Sequence, residues 1–424
     1  AAWRYFGHSA EDLSWAESAM LAVLPNAPAM IHLSKGRKTL LSKRNRLLKQ
    51  LLEEEIIDAS TYELAVSEPL PDEPHPLPQI APHLVSRFYQ ERNGLYTRST
   101  IDRGIQTHIE SLAERWSNEF NRSDIRNLAI LVIDIPTNQV VAYCGNVHFD
   151  RKQGGSQVDV IQAPRSTGSI LKPFLYNAML QEGSLLPKML LPDVPVNING
   201  FTPQTFSMQF EGAAPASEAL ARSLNIPAVT MLQRYGVPKF HHLLQQMGFK
   251  TINRAASHYG LSLILGGAEA TLWDVTNAYA QMGRSLSSNS PSPTVSQGKE
   301  AQILLETENT EPINNDTKQT SRNHKSNHNK QEKREQSNSS PISVEKDSEE
   351  TTSANAGAAW LTLSTLTEVN RPEEIDWKSI PSMQTIAWKT GTSYGFRDAW
   401  AVGVTPRYAV GVWVGNATGE GKPG

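Results

Sequence analysis

Two β-rich hairpin sequences lie far apart in the chain, and they constrain its fold more than any other feature. The first, LAILVIDIPTNQVVAYCGN, begins at Leu128, and the second, RDAWAVGVTPRYAVGVWVGN, begins at Arg397. In each, two apolar runs rich in β-branched residues flank a short turn that contains proline. The stretches between the hairpins are mainly helical in pattern. The sequence therefore predicts an α+β fold, in which an antiparallel sheet is assembled from distant segments and helices pack on it.

Residues 1–68 are predicted to be helical. Ser14 followed by Glu17 has the pattern of a capping box before an apolar run. A second helix, KTLLSKRNRLLKQLLEEEIID, places leucines on one side and lysines or arginines on the other, which is typical of a helix with one solvated face. The acidic residues of this segment lie in helix-forming stretches, and structural roles are assigned to Glu11, Glu17 and Glu53–Glu55.

Residues 69–126 are predicted to connect this segment to the main domain. They combine a stretch too dense in proline for a helix or sheet interior with an amphipathic helix that Asp102 could cap. Residues 127–424 carry both hairpins. Within them, the residues from about 285 to 355 include no aromatic side chain and are dominated by Ser, Asn, Glu, Lys and Thr. Such a segment buries too little apolar surface to offset its ordering entropy, so most of this insert is predicted to be disordered.

Charge and composition exclude several classes of function. The formal net charge of -3 argues against nucleic acid as the main partner, because such binding usually needs a basic excess. The single cysteine, Cys144, allows no internal disulfide, and the 11 histidines form no metal-binding pattern, so no metal or other cofactor is expected. LGGAEATLWD lacks the lysine of a nucleotide-binding loop. No apolar run approaches the roughly 20 residues of a membrane span, and we expect a fragment whose membrane anchor lies outside it.

Ser169 and Lys172, in RSTGSILKPFLY, are the first candidate reactive pair. The S-x-x-K pattern is weak by itself, since it recurs in the predicted insert at Ser296 and Ser343. Only Ser169 follows a small flexible stretch and begins an apolar helix. A spacing of three on a helix puts both side chains on one face, so the lysine amine can reach the serine hydroxyl. Pro173 fits the first helical turn, which places Ser169 at the helix N-terminus.

A lysine can activate a serine only when it is neutral, so its pKa must be lowered by burial or by a second cation. Two further stretches supply polar groups of this kind. ARSLNIPA contributes a hydroxyl and an amide on alternate positions, Ser223 and Asn225. AWKTGTSYG contributes a cation, two hydroxyls and a glycine that permits close approach of a substrate: Lys389, Thr390, Thr392 and Gly391.

The motifs S-x-x-K, S-x-N and K-T-G in this order are those of penicillin-binding proteins and class A β-lactamases. With LSLILGGAEATLWDVTNAYA, they make the chain resemble the class A penicillin-binding proteins, bifunctional peptidoglycan synthases, and most closely the 1C type. The resemblance covers nearly all of the chain except the insert. It implies a serine β-lactamase-like transpeptidase domain, preceded by a helical remnant of a family 51 glycosyltransferase domain. That family's catalytic glutamate motif has no match here, so this fragment is not expected to polymerise glycan.

The resemblance also implies catalytic roles. Ser169 would be the acyl-enzyme nucleophile and Lys172 its base. Ser223 would relay a proton to the leaving group, and Asn225 would hold Lys172 and the amide of the substrate. Lys389 would set the electrostatics of the site.

The same resemblance implies how substrate is bound. Thr390 and Thr392 would lie near the terminal carboxylate of a stem peptide ending in D-Ala-D-Ala, beside Gly391. The backbone N–H groups of Ser169 and Thr392 would form the oxyanion hole. The acceptor would be an amine on a neighbouring stem, and β-lactams would acylate the same serine. The full-length protein is expected to be membrane-anchored, at the periplasmic face of the bacterial inner membrane.

Two alternatives share part of this chemistry. Water could resolve the acyl-enzyme, as in a D,D-carboxypeptidase or a β-lactamase, although β-lactamases usually have Asp where this chain has Leu224. A β-lactam-binding sensor or scaffold module would acylate with little turnover. Transfer to an added D-amino acid distinguishes a transpeptidase from such a module.

Overall fold

The chain is described in two compact units, Ala1–Ile80 and Ala81–Gly424. The computed structural model describes residues 1–24, 36–75, 79–92, 95–149, 154–198, 200–203, 210–286, 300–304, 347–369 and 384–421. The division falls inside the segment 69–126, which the sequence predicts as a connector. The amphipathic helix of that segment therefore belongs to the second unit.

The first unit is helical, as predicted. Its helices are α1 (Ala2–Phe6), α2 (Trp15–Val23), α3 (Arg37–Glu53) and α4 (Ala59–Ser67). The predicted capping box is confirmed at the start of α2: Ser14 Oγ accepts from Glu17 N at 3.1 Å, and the Glu17 carboxylate accepts from Ser14 N at 2.9 Å. Met20 of α2 and Leu40 of α3 belong to one buried cluster.

Arg44 of α3 departs from the predicted pattern. It lies four residues from both Leu40 and Leu48, on their buried face, and is only 1% exposed. Its guanidinium donates to the carbonyl oxygens of Val66 (3.1 Å) and Glu68 (2.7 Å) at the C-terminal end of α4. The last carbonyls of a helix have no intrahelical partner and carry partial negative charge, so this arginine ties α3 to α4. Arg44 is therefore an exception to the predicted division of α3 into a leucine side and a solvated basic side.

The second unit is built on a five-stranded antiparallel sheet. Its strands are β1 (Asn127–Asp134), β2 (Gln139–Cys144), β7 (Ala387–Thr392), β8 (Asp398–Val404) and β9 (Tyr408–Gly415). Two short pairs accompany it: β3 (Arg165–Ser166) with β6 (Glu269–Ala270), and β4 (Leu190–Asp193) with β5 (Gly212–Pro215). The sheet order is β2-β1-β9-β8-β7. Both predicted hairpins are confirmed, as β1–β2 and β8–β9, and they join because β1 pairs with β9.

The helices described in this unit are α5 (Pro82–Arg92), α6 (Arg103–Phe120), α7 (Lys172–Gln181), α8 (Ala216–Ala221), α9 (Asn225–Tyr235), α10 (Val237–Gln246), α11 (Ala256–Tyr259), α12 (Leu272–Arg284) and α13 (Asp347–Leu366). Among them, α6 packs on β1 and β2, and α12 packs on β1, β8 and β9. Asp102 caps α6 as predicted, accepting from Ile105 N at 2.8 Å. Among the helices of the described ranges, none is both long enough and apolar enough to cross a membrane.

The two faces of β1 are buried by different helices. Leu128, Ile130 and Val132 pack with Ala113 of α6 in one cluster. On the other face, α12 crosses β9 and β1. The crossing is close at Gly411 of β9, where an added Cβ would overlap Thr276 Oγ1 of α12. A residue without a side chain is therefore needed there.

Part of the predicted insert 285–355 is structured. Within residues 300–304, Gln302 accepts from Val140 N and donates to Asn138 O, both at 2.8 Å. The predicted disorder of most of the insert does not extend to this short segment, which supplies backbone partners to the edge strand β2. The helix α13 also begins inside the predicted insert. The remainder of the insert that lies outside the described residues comprises 287–299 and 305–346.

Candidate active site

Ser169 lies in a turn that precedes α7. We call residues 166–171 the serine turn. Lys172 N donates to Ser169 O at 3.3 Å, which closes one tight turn, and α7 begins at Lys172 with Pro173 in its first turn. Pro173 is placed as predicted, but Ser169 comes before the helix and does not begin it. Ser169 and Lys172 are still separated by one turn of the backbone.

The serine turn lies directly against strand β7. Gly168 has φ 50°, and a Cβ on it would come within 2.5 Å of Thr392 O and 2.8 Å of Thr392 N. A Cβ on Gly391 would approach Thr167 O to 2.9 Å. Only residues without side chains permit such an approach. It brings the backbone of Ser169 beside that of Thr392, the two residues whose N–H groups are predicted to form an oxyanion hole.

Lys172 is buried, with 1% of its surface exposed. Its Nζ donates to Ser223 O (2.7 Å), Asn225 Oδ1 (2.8 Å) and Leu224 O (3.2 Å), and lies 3.4 Å from Ser223 Oγ. None of the hydrogen bonds recorded for the described residues joins it to Ser169 Oγ. The spacing permits such a bond, but in this arrangement the amine donates to the oxygens between α8 and α9.

Ser223 occupies a backbone conformation that is unfavourable for a residue with a side chain. Its φ is 60°, in the left-handed region. Ser223 N donates to Leu220 O (3.0 Å) and Leu224 N donates to Ala219 O (2.9 Å), the two bonds of a Schellman motif at the end of α8. Glycine usually takes this position, and another residue costs on the order of 1 kcal/mol. The strain is retained at the residue that contacts Lys172 with both its carbonyl and its hydroxyl.

Lys389 supplies the second cation that the sequence analysis required beside Lys172. It lies on β7, is 1% exposed, and its Nζ donates to Ser223 Oγ (2.8 Å) and Thr390 O (2.7 Å). Burial lowers the pKa of Lys389 to about 7. Burial, and then the positive charge of Lys389, lower the pKa of Lys172 well below its usual value. The lowered pKa favours loss of the Lys172 proton, and its Nζ lies 3.4 Å from the Ser223 hydroxyl oxygen.

The remaining predicted residues follow the alternation of β7. Lys389 and Gly391 are buried, whereas Thr390 and Thr392 are exposed. The two threonine hydroxyls are therefore accessible to a ligand beside the buried Lys389 amine, and together with the protonated form of that amine they suit a carboxylate. The structure brings the three motifs together at one place.

Two residues of this site were missed by the sequence analysis. Trp400 Nε1 donates to Ser166 O, and the Tyr279 hydroxyl donates to Ile170 O, each at 2.8 Å. Both bonds end on backbone oxygens of the serine turn. No signal in the sequence marks either aromatic residue, since each lies in an apolar run typical of a core.

Other candidate chemistry finds no support among the described residues. No group of three or more His, Cys, Asp or Glu within them could bind a metal ion. Cys144 is buried, and burial raises the pKa of its thiol to about 12. A thiolate nucleophile at this position is therefore excluded at neutral pH.

Comparison with family models gives two matches. Residues 128–423 match the penicillin binding protein transpeptidase domain, and residues 1–52 match the transglycosylase family. Penicillin-binding protein 1C of Escherichia coli (strain K12) is 31% identical over 419 residues, which cover 99% of this chain and 48% of that protein. The chain spans about half the length of the curated relatives it matches.

Comparison with solved structures supports the fold. Penicillin-binding protein 1A from Haemophilus influenzae has a TM-score of 0.58 and 17% identity, covering 99% of this chain and 78% of that one. The PonA1 protein from Mycobacterium tuberculosis, solved in complex with penicillin V, has a TM-score of 0.51 and 20% identity, covering 81% of this chain and 84% of that one. At these identities the likeness concerns the fold alone.

Proposed function

The chain belongs to the penicillin-binding protein transpeptidase family, and on that premise we propose that it is a penicillin-sensitive D,D-transpeptidase that cross-links peptidoglycan stem peptides through a serine acyl-enzyme. One observation carries the proposal. Ser223 Oγ accepts from Lys389 Nζ at 2.8 Å and lies 3.4 Å from Lys172 Nζ, so three motifs distant in the chain meet at one hydroxyl. A nucleophilic serine needs an adjacent base, and the buried amine of Lys172, with its lowered pKa, can supply one beside the Ser223 hydroxyl.

Acylation begins with attack by Ser169 Oγ on the carbonyl carbon of the penultimate residue of a stem ending in D-Ala-D-Ala. Lys172, whose lowered pKa favours the neutral amine, takes the hydroxyl proton in that form. The N–H groups of Ser169 and Thr392 stabilise the oxyanion. Ser223 passes the proton to the nitrogen of the terminal D-alanine, which leaves as its C–N bond breaks and the ester to Ser169 forms.

Transfer reverses these proton movements. A neutral amine of a neighbouring stem attacks the ester carbonyl, the bond to Ser169 Oγ breaks, and a new amide bond forms. The proton lost by the amine returns through Ser223 and Lys172 to Ser169 Oγ. Each half-reaction balances without a cofactor, and Lys172 is neutral at the beginning and end of both.

The remaining residues bind and orient the substrate in this proposal. Lys389 and the hydroxyls of Thr390 and Thr392 take the terminal carboxylate, while Asn225 holds the substrate amide as well as Lys172. A β-lactam presents a similar carboxylate and a strained amide to Ser169, and its leaving nitrogen stays tethered. Since stem peptides belong to the cell wall, we place the protein at the periplasmic face of the bacterial inner membrane, anchored by other parts of the full-length protein.

The first test is intact mass spectrometry after incubation with a penicillin, followed by peptide mapping. We expect one added drug mass on the peptide that contains Ser169. The adduct should be absent in Ser169→Ala and unchanged in Ser296→Ala, a matched control that removes the serine of a second S-x-x-K pattern. A folded wild-type protein without an adduct would refute the serine mechanism.

A second assay separates transfer from hydrolysis. The protein is incubated with a thioester analogue of the donor and an added D-amino acid. Formation of the exchanged product supports the transpeptidase. Release of the free acid alone would favour a D,D-carboxypeptidase or β-lactamase-like hydrolase, and a stable adduct without either product would favour a β-lactam-binding sensor or scaffold.

A further inference from the structure

We propose that Tyr279 and Trp400 are positioning residues that clamp the serine turn and so fix Ser169 for attack; the inference rests on the function proposed above. Tyr279 reaches Ile170 O from α12, and Trp400 reaches Ser166 O from β8, each at 2.8 Å. The two bonds bracket Ser169, three residues before it and one residue after it. They come from two different elements.

The serine turn needs such external contacts. Within it, Ile170 N donates to Thr167 O (3.0 Å), and Lys172 N closes on Ser169 O at the longer distance of 3.3 Å. Because α7 begins only at Lys172, helical hydrogen bonding does not fix the conformation of Ser169. Its position depends on what the carbonyls on either side of it contact.

The serine turn also contacts residues 266–270, which we call the backing segment. They belong to LGGAEATLWD, the stretch rejected above as a nucleotide-binding loop. Ser166 Oγ donates to Gly266 O (2.8 Å), and Thr167 N donates to Ala268 O (3.0 Å). A Cβ on Gly266 would come within 2.8 Å of Gly168 N. The turn therefore lies between the backing segment and β7, and the two aromatic donors stop it from sliding between them.

Tyr279 and Trp400 are both suited to hold a stable hydrogen bond to the serine turn. Tyr279 is 0% exposed and Trp400 is 3% exposed, so water does not compete for either bond. Burial raises the pKa of Tyr279 well above its usual value, and the hydroxyl stays a donor throughout the working pH range. The Tyr279 ring also packs edge-on against Phe174 with 4.9 Å between ring centroids. Tyr279→Phe therefore removes the hydrogen bond while the ring can keep its packing.

The catalytic consequence follows from the geometry of attack. Ser169 contributes both the attacking oxygen and one oxyanion N–H, so a shift of the turn displaces two groups together. A misplacement of about 1 Å can cost about 100-fold in rate. The loss should fall on the acylation step and not on initial binding, which the β7 residues govern.

The test compares Tyr279→Phe and Trp400→Phe with Tyr143→Phe. Tyr143 is also 0% exposed, and its hydroxyl donates to Asp159 at 2.5 Å, away from the serine turn. We expect Tyr279→Phe and Trp400→Phe each to slow acylation by a penicillin about 10- to 100-fold, with the non-covalent dissociation constant unchanged. Tyr143→Phe should lower the melting temperature but leave the acylation rate unchanged. Wild-type rates in the first two variants, or equal slowing in Tyr143→Phe, would overturn the proposal.

Hydrogen exchange tests the clamp independently of the chemistry. Backbone amides of the serine turn should exchange faster in Tyr279→Phe than in the wild type, and at the wild-type rate in Tyr143→Phe. Unchanged exchange in Tyr279→Phe would overturn the clamp even if acylation is slowed. If exchange is faster in Tyr279→Phe but a penicillin does not acylate the wild type, the clamp exists and the proposed function is wrong.

Discussion

Replacing Lys389 with methionine should change how the stability of the protein depends on pH. The pKa of Lys389 is about 7 in the folded protein because the amine is buried, against 10.5 for an ordinary lysine. Between pH 7 and 10.5 the unfolded chain carries a proton at this residue that the folded protein does not. The free energy of unfolding of the wild type therefore rises with pH over this window. Below this pH window Lys389 is protonated in both the folded and the unfolded state, and above it in neither. Outside the window its contribution to the free energy of unfolding is therefore constant.

The size of the effect follows from the shift. One pKa unit corresponds to about 1.4 kcal/mol, so a fall from 10.5 to about 7 amounts to about 5 kcal/mol across the whole window. Lys172 adds a rise of the same sign, which is smaller in the methionine variant because the positive charge of Lys389 no longer lowers the pKa of Lys172. Ser223 Oγ and Thr390 O lose a donor in the methionine variant, but that loss does not vary with pH.

The measurement is urea-induced unfolding of the wild type and of Lys389→Met at several pH values from 7 to 10. Titration of the surface lysines is common to both proteins and cancels in the difference. The free energy of unfolding of the wild type minus that of the variant should become more positive by about 1.4 kcal/mol per pH unit. A difference that stays flat would refute the reasoning, because the buried amine would then keep its proton and act as a permanent cation.

Two further substitutions test the strain and the packing around this site. Ser223→Gly and Ser223→Ala should both abolish transfer. The glycine variant should be more stable than the alanine variant by about 1 kcal/mol, because only glycine adopts φ 60° without strain. Equal free energies of unfolding in urea would contradict this. Gly411→Ala should lower the free energy of unfolding by about 1–3 kcal/mol, because its Cβ would overlap Thr276 Oγ1. Adding Thr276→Ala should restore part of the loss, and no recovery in the double variant would show that the overlap is not the cause.

The fold was predictable where the signal was local. Each hairpin has apolar runs around a proline-containing turn, and both appear in the structure as β1–β2 and β8–β9. The register of β1 against β9 was not predictable, since it joins Asn127 to Gly415 across most of the chain. The composition of the insert as a whole gave no sign of the order at residues 300–304, where backbone hydrogen bonds to the β2 edge are joined by burial of Ala301 and Ile303.

The candidate site, too, was predictable from the sequence only in part. The residue types of S-x-x-K, S-x-N and K-T-G suggested chemistry, but nothing in their spacing brings Lys172 to Ser223 or Ser223 to Lys389; only the family resemblance did. Burial of both lysines and the left-handed backbone of Ser223 required the structure. Tyr279 and Trp400 could not be found from the sequence, because their importance depends on which backbone oxygen each one meets.

The pairing of β1 with β9 also determines when the molecule can fold. The two strands are separated by roughly 290 residues, and β1 lies inside the sheet with β2 on its other side. Ribosomes add about 5 to 20 residues per second, so β1 waits about 15 to 60 s for its partner. During that time an apolar strand edge is unpaired, in a topology whose non-local contacts make folding slow. The β1–β2 hairpin is therefore the segment of the nascent chain that most needs protection from aggregation.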